Sequence, residues 1–182
     1  MTNINFDYHK FVDSKLASDG FKIVLIDRSY MNENLSSIKH FVNIIRNEFK
    51  KVYGWEEEND EYFLNPLVDK WKYSYAIINN SGIICMLSIN SRYNDRIHLH
   101  TVLVKKEYRK SGLSKYMLLK TAVTAYENDI NKLELYCQKN NNGALILYLR
   151  MGFKIETIRN NMDILLTSDS LSTAELCYKS IS

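Results

Sequence analysis

The hexapeptide Arg109-Lys110-Ser111-Gly112-Leu113-Ser114 constrains this chain more than any other stretch. An apolar run, Ile97 to Val104, ends just before it, and a helical run, Leu113 to Tyr126, starts inside it. A strand that turns tightly into a helix brings two things to the turn: backbone N–H groups with no intrahelical partner, and the positive end of the helix dipole. Anions bind at such termini. Gly112 permits positive φ and lets a ligand approach the backbone closely, while Lys105, Lys106, Arg109, Lys110 and Lys115 supply a cationic field. The same six residues also describe an ordinary basic surface turn, so the neighbouring segments have to decide.

Those segments alternate. Strands are expected over Phe21 to Asp27, Tyr73 to Ile78, Ile83 to Ser91, Arg96 to Lys105, Lys132 to Gln138, Phe153 to Arg159 and Ala174 to Ile181. Helices are expected over Leu35 to Lys50, Tyr62 to Trp71, Leu113 to Tyr126 and Asn142 to Met151. Asn79-Asn80-Ser81-Gly82 reads as a hairpin turn. In the helix after the basic turn, Leu113, Tyr116, Met117, Leu119 and Val123 recur at three- and four-residue steps, which gives it one sheet-packing face. Hairpins followed by strand-helix-strand units predict a mixed α/β fold, with helices on a central mixed sheet. Residues 1 to 20 form an N-terminal extension in which Phe6, Tyr8, Phe11, Val12 and Leu16 favour a helix, packed on its own domain or on a second subunit.

Composition excludes several classes. With 182 residues, 46% of them hydrophobic, a full core needs no metal or disulfide support, and one domain over residues 1–182 is expected. Cys85, Cys137 and Cys177 are odd in number and lie inside apolar runs, which predicts buried free thiols and no metal site. No apolar run reaches membrane-spanning length and the first residues do not form a leader, so a cytoplasmic protein without a membrane partner is expected. A net charge of +3, with no basic helix interleaved with aromatics, argues against nucleic acid as a partner.

A second segment, Asn140 to Phe153, completes the pattern. Arg109, Gly112 and Ser114 fit a turn of the form Arg or Gln, any two, Gly, any, Gly or Ala. Asn141, Ala144, Leu147-Tyr148 and Gly152-Phe153 fit a later Asn, small, aliphatic-Tyr, Gly-Phe pattern. Together, over Ser74 to Arg159, the chain resembles the Gcn5-related N-acetyltransferase (GNAT) family, departing from it at Ser114, where Gly or Ala is usual. The resemblance implies a twisted mixed sheet with a splayed strand pair that holds acyl-CoA, and a donor-binding core over residues 74–159. Acetyl-CoA is then the co-substrate. Its pyrophosphate would lie on Arg109, Lys110, Ser111, Gly112, Leu113 and Ser114, and its pantetheine arm along the main chain of Val102, Leu103 and Val104. Asn141 fits a donor-contacting position, although an Asn before a helix is equally a preferred N-cap.

Amine acylation needs a base for the ammonium proton and an acid for the leaving thiolate. Tyr148 occupies the family's acid position, and a phenol with an ordinary pKa near 10 suits a thiolate leaving group; packing beneath the sheet is the alternative. His98 and His100 lie two residues apart on one strand face, and His98 aligns with a catalytic Glu of the histone-acetylating branch. Both can equally be structural. The branch acting on protein N-termini uses a Glu where this chain has Tyr136, and Glu134, one pleat away, is a weaker candidate. The acidic run Trp55 to Tyr62 would rim an acceptor pocket and attract a cationic amine, or simply be solvated. The resemblance therefore implies transfer to a primary amine of a small molecule such as an aminosugar or polyamine, by a monomer or homodimer. A protein or peptide amine acceptor, or a CoA-binding domain without catalysis, are the alternatives.

Overall fold

A computed structural model describes residues 7–53, 60–159 and 163–182. In chain order the elements are α1 (Tyr8–Ser18), β1 (Phe21–Leu25), α2 (Arg28–Tyr53), α3 (Asp60–Leu64), α4 (Lys70–Tyr73), β2 (Tyr75–Asn79) and β3 (Ile84–Tyr93). Then follow β4 (Arg96–Val104), α5 (Leu113–Tyr126), β5 (Lys132–Gln138), α6 (Asn142–Arg150), β6 (Lys154–Arg159), β7 (Asp163–Asp169) and α7 (Ser170–Ile181). The seven strands form one sheet in the order β1-β2-β3-β4-β5-β7-β6. Among the described residues only the central β4–β5 pair is parallel; all other neighbours are antiparallel.

Local chemistry accounts for these elements. In α2, the buried Met31, Ile38, Phe41, Val42 and Ile45 recur on one helical face. The β2–β3 hairpin closes through the Asn79 side chain, whose Oδ1 accepts from the N–H groups of Ser81 and Ile83, each at 3.0 Å. The sheet carries a core on each face. One core joins Val12 and Leu16 of α1 to α5, α6 and α7; the other packs α2 and Phe63 of α3 on Ala76, Leu87, Ile89 and Leu103. Of the two packings open to the N-terminal helix, α1 takes the one on its own chain, with Val12 and Leu16 fully buried.

The C-terminal region departs from expectation. Ala174 to Ile181 is helical, not extended: Asp169 caps α7 by accepting from Ser172 N at 2.8 Å, and Thr173, Ala174 and Cys177 form its buried face. The strand β7 was not anticipated either. It inserts between β5 and β6, and its consecutive apolar residues Ile164, Leu165 and Leu166 hide the two-residue period of a strand. The helix expected over Tyr62 to Trp71 is two short ones, α3 and α4, separated by Pro66.

Because Leu16 is part of a core and not of an appendage, Leu16→Ala should lower unfolding stability by about 2–5 kcal/mol, read by urea denaturation. An unchanged midpoint would mean that α1 does not pack as described.

Candidate active site

The site begins with a register slip. Along β3 and β4, Asn90 faces Leu99 but Ile89 faces Thr101, so His100 is an extra residue in β4. Such a bulge adds local twist and bends the strand. On its other edge β4 pairs with β5 only from Arg96–Lys132 to Leu99–Leu135, although both strands run on. Past that point they diverge, and a cavity of about 280 Å³ lies between them, lined by Leu99 to Leu103, Leu135 to Gln138, Asn141, Tyr148 and others. Val102, Leu103 and Val104 pair with β3 on one side, and among the described residues no β5 partner meets them on the other.

Beyond β4 the basic turn has the expected shape. Lys110 and Gly112 both have positive φ, 66° and 90°, and Gly112 is the N-cap of α5. A Cβ built at Gly112 would meet nothing within 4 Å, so the turn is open in front of the helix. Ser111 Oγ donates to Tyr108 O at 2.6 Å and fixes the turn. Leu113 is buried in the core, and Ser114 lies in the first turn of α5. Arg109 points elsewhere. Its Nε donates to Val104 O at 3.0 Å, its Nη2 pairs with Glu48 at 2.6 Å, and it lies 5.0 Å over the Phe49 ring. It thus ties the end of β4 to α2.

At the far wall, Asn141 does cap α6, accepting from Ala144 N at 3.4 Å, and it also lines the cleft. Tyr148, on α6, is buried against Phe153, and burial first, then the neighbouring Cys137, pushes its phenol above the ordinary value of 10. It stays protonated at neutral pH. Cys137 is pushed up to about 11 by burial, with Asp163 adding to it, so it holds no thiolate there.

On the sheet face bearing α2, the three candidate bases converge. His98 Nδ1 is 2.9 Å from Glu134 Oε1, and Arg96 Nη1 donates to Glu134 Oε2 at 3.0 Å. A carboxylate only accepts, so this pairing puts the proton on Nδ1 and leaves the lone pair of neutral His98 on Nε2. The His98 ring lies 4.5 Å from that of His100 and 5.6 Å from that of Tyr136. His100 Nε2 is 2.6 Å from Ser91 Oγ. Burial, reinforced by the charges of His98 and Lys70, pulls His100 down to about 4. Sequence reasoning missed Arg96, although it lies two residues before His98 on the same strand face, and missed Lys70, which no pattern marks. Of the acidic run expected at the acceptor rim, residues 54–59 lie outside the described residues; Asp60 and Tyr62 are in α3.

This arrangement coincides with a family pattern. The model of the acetyltransferase (GNAT) family matches residues 38–153, well over half of the chain. The chain belongs to the GNAT acetyltransferase family. Streptothricin acetyltransferase A of Bacillus subtilis strain 168 is 26% identical over 110 residues, which is 60% of this GNAT chain and 64% of that protein. The match thus spans just under two thirds of that relative's length. Among solved structures, the PaiA N-acetyltransferase of Thermoplasma acidophilum in complex with coenzyme A superposes with a TM-score of 0.65 at 17% identity, covering 82% of this chain and 98% of the other. The ribosomal-protein-S18-alanine N-acetyltransferase of Escherichia coli gives the same TM-score and identity, over 82% and 93%. The fold is therefore that of the GNAT enzymes. Among the described residues no helix is long and apolar enough to cross a membrane and no cluster of three metal-ligating side chains occurs.

The depressed His100 value has a consequence for stability. The unfolded chain takes up a proton near the ordinary histidine value of 6.5, while the folded chain resists it down to about 4. The contribution of His100 is therefore complete above pH 6.5 and is lost as pH falls from 6.5 to about 4. His100→Gln should flatten the stability profile over that window in thermal melts. Parallel profiles for the two proteins would contradict the burial of a neutral imidazole.

Proposed function

We propose that the protein is an acetyl-CoA-dependent N-acetyltransferase that passes the acetyl group directly to a primary amine of a small molecule. The observation that carries this is the β4–β5 cleft, an open main-chain edge with a protonated tyrosine at one wall and a histidine–carboxylate couple beside the other.

Acetyl-CoA would supply the activated thioester. Its pantetheine arm resembles a peptide and suits the open edge of Val102, Leu103 and Val104, as an added strand would. The open turn at Lys110, Ser111 and Gly112, with the first N–H groups of α5 behind it at Leu113 and Ser114, suits a pyrophosphate. Arg109 would act by bracing that turn against α2. His98 Nε2, its tautomer fixed by Glu134, accepts the ammonium proton directly or through water; Arg96 holds the Glu134 carboxylate in place. His100, kept neutral, adds no positive charge to repel the incoming ammonium. Tyr148 donates its phenolic proton to the departing sulfur. Cys137 stays a thiol, which favours direct transfer over an acyl-cysteine route.

The streptothricin acetyltransferase relative favours a small-molecule acceptor, and Tyr136, in place of the Glu of the branch acting on protein N-termini, weighs against a protein amine.

Isothermal titration should give micromolar acetyl-CoA binding that Gly112→Val weakens, since a β-branched residue is strained at φ 90°. Tyr148→Phe should keep that binding yet lower kcat with streptothricin by about 10²-fold or more. Absence of binding by folded wild-type protein would rule out the acetyl-transfer reading. Undiminished turnover by Tyr148→Phe would remove only the proposed acid.

A further inference from the structure

Lys70 is fully buried; its ammonium lies 5.1 Å over the Trp71 ring and 6.0 Å over that of Tyr62, and its described hydrogen bonds all go to main chain. Nζ donates to the carbonyls of Tyr62 at 3.0 Å, Phe63 at 2.6 Å and Asn65 at 3.2 Å. Those carbonyls end α3, where the helix leaves its last acceptors unpaired and carries partial negative charge. Burying an ammonium costs several kcal/mol unless its hydrogen bonds are replaced, and three carbonyls replace them. Such an expensive group marks a segment whose position matters.

What the lysine holds is a segment tied to β4 directly beside the candidate bases. The Tyr62 hydroxyl on α3 hydrogen-bonds to Thr101 Oγ1, and Thr101 is the residue directly after the His100 bulge and part of the cleft lining. Arg46 of α2, another cleft-lining residue, lies 5.9 Å over the Tyr62 ring. Two further ties fix the ends of the segment: Lys39 of α2 pairs with Asp60, and Arg92 N of β3 donates to Val68 O at 2.8 Å. The charge of Lys70 also reaches His100.

Resting on the acetyl-transfer reading of the cleft, we propose that Lys70 is a positioning residue for the amine acceptor. By gathering the C-terminal carbonyls of α3 it holds the Tyr62 hydroxyl on Thr101 and so sets the wall against which the acceptor amine is aligned beside His98 and His100. The donor side depends on this tie less directly. The main-chain edge of Val102 to Val104 and the turn at Gly112 belong to β4 and α5, and α3 meets β4 through side chains, Phe63 in the core with Leu103 and Tyr62 on Thr101.

Two variants test the assignment. Lys70→Met keeps an unbranched stem, one atom shorter, but strands three buried carbonyls, whereas Tyr62→Phe removes only the hydroxyl and leaves the core intact. With streptothricin as amine, both should raise its KM by about tenfold, the effect of one lost buried hydrogen bond, while the acetyl-CoA Kd by calorimetry stays unchanged. In Lys70→Met the backbone amides of α3 should also exchange hydrogen faster than in wild type, a readout that needs no acceptor. A lower melting temperature with unaltered streptothricin KM in both variants would make Lys70 merely structural and overturn the proposal. Unchanged exchange in Lys70→Met would overturn it whatever the activity. If wild type binds acetyl-CoA but turns over no streptothricin, the small-molecule reading is what fails, and the exchange arm still decides the role of the tie.

Discussion

One extra residue in β4 governs this molecule. The insertion of His100 shifts the β3–β4 register, and the parallel β4–β5 ladder ends at Leu99 and Leu135, immediately before it. A backbone edge inside a sheet is normally paired, because an unpaired buried N–H or C=O costs about as much as a lost hydrogen bond. Here the sheet leaves such an edge open at its centre, with strands continuing on both sides. An extended, amide-bearing ligand is the natural complement to that edge. Helix α5 extends the same logic, since its N-terminus stands at the end of the open strand with Gly112 clearing the approach.

Around the opening, charge is arranged by partner more than by total. Glu134 is spanned by Arg96 and His98, Arg109 is spent on Glu48 and a carbonyl, and Lys70 on three carbonyls. In the proposed mechanism, two groups among the described residues move protons: an imidazole whose tautomer is set by a carboxylate, and a phenol that burial keeps protonated. The His98–Glu134 couple and Tyr148, the proposed base and acid, lie in opposite surroundings, the polar face toward α2 and the apolar core beneath α6.

Much of this was legible in the sequence where local signals agree. Gly112 after a strand and before an apolar helix, Asn141 before another helix, and the His98–His100 alternation each carry their structure in a few residues. The C-terminal region was not legible. Its strand β7 has no polar alternation because Ile164 and Leu166 belong to the core shared with α5 and α7 while the other face holds Leu165, and in α7 the β-formers Cys177, Tyr178 and Ile181 compete with the helix signal of the Asp169 cap. The bulge at His100 was invisible too, since registers belong to pairs of strands and not to one. Arg109 was readable as a cation but not as a brace, because its partner Glu48 is 61 residues away.

Amide hydrogen exchange with and without acetyl-CoA tests the central claim most directly, because it reads the open edge itself. The predicted result is protection concentrated on Thr101 to Val104 and on the first turn of α5, Leu113 to Lys115, with the paired stretch Arg96 to Leu99 unaltered. Protection absent from both segments under saturating acetyl-CoA, or centred elsewhere on the sheet, would contradict the account.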